Sequence, residues 1–301
     1  MEIYFSNQVE IVFKKCCFLL AVMFVGSSLG AADIKPIALP QFEGVKAVVL
    51  DEAIVIHPKN LLVKFNDLED IHKFRNLVDE DAIEIGTPYF VMEYIDGQSF
   101  VDPRITQISV PERKVVYEEN VKGLANLHNV DPNIVGLSHF GKSGSYFSRQ
   151  FSRWSRQYEA SKTDNILPME ILMQWLSKHV PAEEGPSRLV HGDWRIDNLL
   201  FHKKHFKLIA ILDWELSTLG DPRADLASQI MQWSMPVGEE GRGLAGVNRQ
   251  DLGIPEDNEF LEKYSEYIGL PDIPDLEFPI AFCYFRMGAI LQGVKKRALD
   301  G

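Results

Sequence analysis

The chain has 301 residues, 46% apolar and 25% charged, a composition that fits a soluble enzyme built as one large domain or two small ones. A formal net charge of −12 argues against nucleic acid as a partner, because binding to a phosphate backbone depends on clustered cations. No internal repeat or low-complexity tract is present, and the three cysteines, Cys16, Cys17 and Cys283, offer no disulfide framework.

In chain order, the first patterned stretch is 14–32. Lys14 and Lys15 precede a continuous apolar run from Cys16 to Val25, and small residues from Gly26 to Ala32 follow it. Those are the sections of a signal peptide, and the run is short for a membrane span. The chain carries no Asn-x-Ser/Thr acceptor site, which, with the cysteine content, speaks against export. An intracellular location, cytoplasmic or organellar, is therefore expected, with a membrane as partner only if 16–32 is an anchor. Gly26 to Gly30 read as a phosphate loop lacks the Gly-Lys-Ser/Thr ending.

Further on, Tyr89 to Ile95 is apolar enough for a buried strand, stopped by Asp96-Gly97. Pro111 opens a helix whose face is Tyr117, Val121, Leu124, Ala125 and His128, which makes His128 a core histidine, and Asp131-Pro132 ends it. A second helix from about Tyr146 carries Arg149, Arg153, Arg156 and Lys162. That basic side reads either as a solvated face or as a surface for an anionic acceptor such as a coenzyme A phosphate. Pro168 starts a third helix with Leu172, Trp175, Leu176 and His179 on one side. The last segment, Phe278 to Leu299, is apolar almost all round until Lys295 and is expected to be buried.

Between these helices lies the densest chemistry. His191-Gly192-Asp193-Trp194-Arg195-Ile196-Asp197-Asn198 reads as a loop, followed by two apolar runs, Leu199 to Phe201 and Ile209 to Leu212. The polar stretch His202 to His205 between the runs predicts a hairpin. Closing it brings Asn198 and Asp213 together at its open end. A carbonyl oxygen and a carboxylate suit Mg²⁺, a hard cation that completes its shell with water and phosphate oxygens. Asp193, one loop away, is free to act on a hydroxyl. His191 reads as a brace for the loop and Glu215 as a rim carboxylate or a contact to a second metal. Asp225, after the helix start at Asp221-Pro222, reads as a structural acceptor for backbone near the loop.

The H-G-D-x-x-x-x-N loop with Asp213-Trp214-Glu215 after the next strand resembles the aminoglycoside phosphotransferase, or choline-kinase-like, family, relatives of the protein kinases. Gly86 to Gly97, Gly141 to Ser161 and Leu216 to Ala227 look like the phosphotransferase domain fused to some acyl-CoA dehydrogenases. The resemblance covers roughly residues 86 to 301. It implies an α+β, protein-kinase-like two-lobe fold with a mainly helical C-terminal lobe and a truncated or divergent N-terminal lobe. In that division 1–85 is an incomplete N-terminal segment, 86–100 a hinge strand and linker, and 101–301 the C-terminal lobe.

The resemblance also implies ATP and Mg²⁺ as cofactors and a small-molecule hydroxyl as acceptor, a hydroxy acid or hydroxyacyl thioester rather than an aminoglycoside. Asp193 is then the base, and Asn198 and Asp213 are the metal ligands. The backbone of Glu93, Tyr94 and Ile95 holds the adenine, and Lys64, on Asn60 to Phe65, meets the phosphates with Glu69 or Glu80 as its partner. No glycine-rich loop over the phosphates is found in 1–85. That gap supports the alternative, a catalytically inactive pseudokinase-like module or fragment. A third reading is an exported or tethered protein in which the H-G-D motif is incidental. Family members usually continue past the last helix, so a chain ending at Gly301 is expected to expose packing surface and dissolve poorly.

Overall fold

A computed structural model of the chain describes residues 95–182, 186–238, 242–272 and 274–301, with the backbone of three upstream strands: β1 (Lys35–Ala38), β2 (Lys46–Val49) and β3 (Leu62–Lys64). The helices are α1 (Val110–Asn129), α2 (Tyr146–Ser161), α3 (Leu167–Lys178), α4 (Arg223–Trp233), the single turn α5 (Arg249–Leu252), α6 (Asp257–Ile268) and α7 (Glu277–Asp300). Between α3 and α4 lie β4 (Arg188–Val190), β5 (Leu199–Phe201), β6 (Leu208–Leu212) and β7 (Thr218–Gly220). The sheets are small and antiparallel: β1 with β2, β4 with β7, and β3–β6–β5 with β6 central. Among the described residues no helix is long and apolar enough to cross a membrane.

Local chemistry sets the helix ends. Ser109 donates its N–H and its hydroxyl to the Glu112 carboxylate, a reciprocal cap that starts α1 beside Pro111. Glu256 and Glu259 repeat the device at α6, which stops at Gly269 in the left-handed region. The face predicted for α1 is the buried one: Tyr117, Val121, Leu124, Ala125 and His128 are all interior. It packs on α6, and with α4 and the hairpin it forms the larger hydrophobic core.

The smaller core joins α2, α3 and α7, and α7 also packs on α4. Phe278 to Phe285 are buried as expected, but interior burial ends at Gly293, and Val294 and Leu299 face solvent. His179 departs from its predicted side. α3 ends at Lys178, and His179 lies exposed, its ring stacked 4.4 Å from that of Trp175 and its Nδ1 2.8 Å from the Trp175 carbonyl. A helix end leaves carbonyls without partners, and the histidine supplies a donor. α4 begins at Arg223, one residue later than the Asp221-Pro222 start implies, with Asp221 accepting the Arg223 N–H at 2.9 Å.

Candidate active site

The chain leaves β4 at Val190, crosses 191–195, makes one 3₁₀ turn at Ile196–Asn198 and enters β5. The predicted hairpin is present: β5 pairs with β6 in the register Leu199↔Ile211, which sets Asn198 and Asp213 at the same open end. The turn from β6 into the 3₁₀ turn Trp214–Leu216 requires Asp213 at φ +63°, a left-handed conformation that non-glycine residues adopt at a cost.

Asp225 fixes the loop from below. Its Oδ2 accepts the His191 N–H at 2.7 Å and its Oδ1 accepts the Gly192 N–H at 2.8 Å, the structural role read from the sequence. His128 Nε2 lies 3.1 Å from the same Oδ2, and His128 Nδ1 lies 2.7 Å from the Tyr264 hydroxyl. The chain Tyr264, His128, Asp225 thus links α6, α1 and α4 to the loop through fully buried groups. Burial opposes the charge on Asp225, but the hydrogen bond of His128, the electrostatic influence of His128 and His191 and the Gly192 N–H outweigh it and hold the carboxyl below its ordinary value.

His191 braces the loop from above, as expected. Its Nε2 lies 2.8 Å from the Leu212 carbonyl and its Nδ1 accepts the Asp193 N–H at 3.2 Å, a pattern that fits the tautomer protonated at Nε2. Gly192 has φ +85°, and a Cβ there would lie 2.6 Å from the Leu216 carbonyl oxygen, so both conformation and space select glycine. From α7, Arg286 Nη1 donates to the Gly192 carbonyl at 2.9 Å.

So braced, the loop presents Asp193, whose side chain is 26% exposed. Asn198 donates Nδ2 to the Asp193 carbonyl at 2.9 Å and to its Oδ2 at 3.3 Å, which leaves the amide oxygen of Asn198 as the atom available to a cation. Asp213 is buried at the same open end of the hairpin as Asn198. Arg195 Nε lies 3.3 Å from Asp193 Oδ2, and Arg195 Nη2 lies 3.2 Å from Asp197 Oδ2, which Arg242 Nη1 also meets at 3.2 Å.

Asp193, Asn198 and Asp213 therefore gather at one place. Glu215 is exposed on the rim, and Ile95 is half-buried at the start of the described body. Glu93, Tyr94, Glu69 and Glu80 lie outside the described residues, as does the side chain of Lys64, whose backbone pairs opposite Ala210 in β6. Arg195 and Arg286 were not read as site residues. The signal for Arg286 was a lone charge inside the apolar stretch Phe278 to Gln292.

Residues 74–260 match the model of a family described as the phosphotransferase enzyme family. The chain is 42% identical over 225 residues to acyl-CoA dehydrogenase family member 10 of Mus musculus, covering 74% of this chain and 21% of that one. It is 38% identical over 224 residues to acyl-CoA dehydrogenase family member 11 of Homo sapiens, covering 73% and 28%. The chain thus spans about a quarter of the length of these relatives. Among solved structures, a Ralstonia eutropha protein assigned to the aminoglycoside phosphotransferases aligns with TM-score 0.71 and 33% identity over 96% of this chain and 90% of that one. A type VIII aminoglycoside-3′-phosphotransferase aligns at TM-score 0.50 and 15% identity, over 88% and 92%, a likeness of fold. The α+β architecture is the protein-kinase-like fold of those structures, with a mainly helical body and few strands.

Proposed function

This chain belongs to the phosphotransferase enzyme family, and on that premise we propose that it moves the γ-phosphoryl group of ATP to the hydroxyl of a small molecule. The observation that carries the reading is the convergence of Asp193, Asn198 and Asp213 at one end of a hairpin, with Asn198 tied to Asp193. Asp193 takes the proton of the acceptor hydroxyl while its oxygen bonds to the γ-phosphorus. The bond from that phosphorus to the bridging oxygen breaks, and its electron pair leaves on ADP. Asn198 orients Asp193 through its amide nitrogen, which leaves its amide oxygen for the cation.

Asn198 and Asp213 offer oxygen alone, and among the described residues no group of three or more His, Cys, Asp or Glu side chains gathers as a metal cage. That sparse donor set fits Mg²⁺, which takes few protein ligands and fills its shell with water and phosphate oxygens. When bound there, Mg²⁺ neutralises charge on the β and γ phosphates.

On the same reading 101–301 is the C-terminal lobe, 86–100 the hinge strand and linker, and 1–85 an incomplete N-terminal segment. The backbone of Glu93 to Ile95 receives the adenine and Lys64 meets the phosphates. The names of the two mammalian relatives speak of acyl-CoA chemistry, which favours a hydroxy acid or hydroxyacyl thioester as acceptor.

A thermal-shift titration with Mg·ATP tests the reading, because a ligand that binds only the folded chain raises its apparent stability. Stabilisation is expected in the native chain and in Asp193→Asn, and lost in Asp213→Ala. Turnover in Asp193→Asn is expected to fall by about 10² to 10⁴, the contribution of a positioned base. No stabilisation of the native chain would favour the inactive module.

A further inference from the structure

Between Glu277 and Lys295, α7 carries one charged residue, Arg286. A guanidinium has five N–H donors in a planar fork. One bond of Arg286 is spent on the carbonyl of Gly192, the residue before Asp193. Among the described residues no carboxylate stands within ion-pair distance of it. The two carboxylates whose charge acts on it are already engaged: Asp225 by two backbone N–H groups and His128, and Asp193 by Arg195 and Asn198. Burial opposes the Arg286 charge, while Cys283, Tyr146, Asp193 and Asp225 favour it and keep the group a cation. A half-buried cation with no fixed counter-charge is costly unless an anion is supplied to it.

The neighbouring helix has the same sign. α2 packs against α7, and its Arg153 and Arg156 are exposed on a chain whose net charge is −12.

We infer that Arg286 is a specificity-determining residue of the acceptor site, its remaining N–H donors receiving an anionic group, a carboxylate or phosphate ester, on the molecule whose hydroxyl faces Asp193. The inference rests on the proposed role of Asp193. Arg is suited to the task because its fork matches a carboxylate or phosphate with two parallel bonds. The γ-phosphate of the nucleotide is the competing source of the same chemistry.

Calorimetric titration of the full chain with a short hydroxyalkanoate, with the primary amide of the same chain, and with a non-hydrolysable Mg·ATP analogue separates these. The native chain is expected to prefer the acid over the amide by about tenfold, as one well-formed charge-assisted contact supplies. In Arg286→Gln the acid-to-amide ratio should fall to near one while the nucleotide affinity holds. Arg286→Lys, which keeps charge but not the fork, should retain part of the ratio and serves if the glutamine variant does not fold. A ratio of one in the native chain, or one that survives in both variants, overturns the inference. So does a loss confined to the nucleotide, which would place the guanidinium on the phosphates. An acid preference lost in the variants, with no labelled phosphoryl reaching the acid in the native chain, leaves Arg286 assigned and removes the proposed transfer instead.

Discussion

The two ends of the β5–β6 hairpin are held by opposite means. At the closed end the backbone bonds within the turn are local, the His202 N–H meeting the Lys207 carbonyl at 2.8 Å and the Phe206 N–H meeting the His202 carbonyl at 2.9 Å, while contacts from outside fall on side chains and flanks, Lys203 with Asp96 and the Leu208 N–H with Glu119 of α1. His202 Nδ1 accepts the N–H groups of Lys204 and His205, and the two imidazole rings stack 4.8 Å apart. At the open end two braces come from afar, Asp225 from α4 and Arg286 from α7, beside the Leu212 carbonyl of the hairpin itself. Each end holds one non-glycine residue in the left-handed region, Phe206 at φ +52° and Asp213 at φ +63°. The backbone of the turn largely satisfies itself. The reactive end depends on the helices beneath it, so damage there should spread while damage at the turn should not.

The largest break in that contrast is expected from Asp225→Ala, which leaves His128 and two loop N–H groups without their acceptor and should cost about 3–5 kcal/mol in chemical denaturation. Asp225→Asn adds a test by pH. A carboxyl held low in the folded chain stabilises it fully above the ordinary value of 3.8, and that stability is lost as the pH falls through the lower folded value. The gap between native and Asn chains should therefore be flat near neutrality and close only in acid below 3.8.

Gly192→Ala comes next, at about 1–3 kcal/mol for a strained residue, with a carbonyl in the path of the new Cβ and a fall in turnover as Asp193 is displaced. Asp213→Gly, which keeps the left-handed backbone without strain, should abolish stabilisation by Mg·ATP. His202→Ala, at the closed end, should cost about 0.5 kcal/mol and leave the Mg·ATP shift intact. A turn variant that weakens nucleotide binding as much as Gly192→Ala does would erase the distinction between the ends.

Local pattern made much of this legible. The hairpin followed from two apolar runs and a polar turn, and its closure carried Asn198 to Asp213. The face of α1 followed from helical spacing, and Asp225 was read as a backbone acceptor from its place after a helix start. What stayed hidden was long-range pairing. His128 was read as a core residue, yet its partner Asp225 lies 97 positions away, and Arg286 lies 94 positions from the carbonyl it holds. No window of sequence contains both members of such a pair. The side chain of Lys64, and Glu93 and Tyr94, lie outside the described residues, so the nucleotide side of the site rests on resemblance.

The Asp225 bonds also have a consequence in time. The amide protons of His191 and Gly192 point into a carboxylate that no solvent reaches, and that carboxylate is tied through His128 to Tyr264 on α6. A loop on a protein surface ordinarily trades its amide hydrogens with water by small, frequent openings. These two can do so only when α1, α4 and α6 part, so their deuterium uptake should be as slow as that of the helix interiors and should keep pace with the unfolding of the whole body.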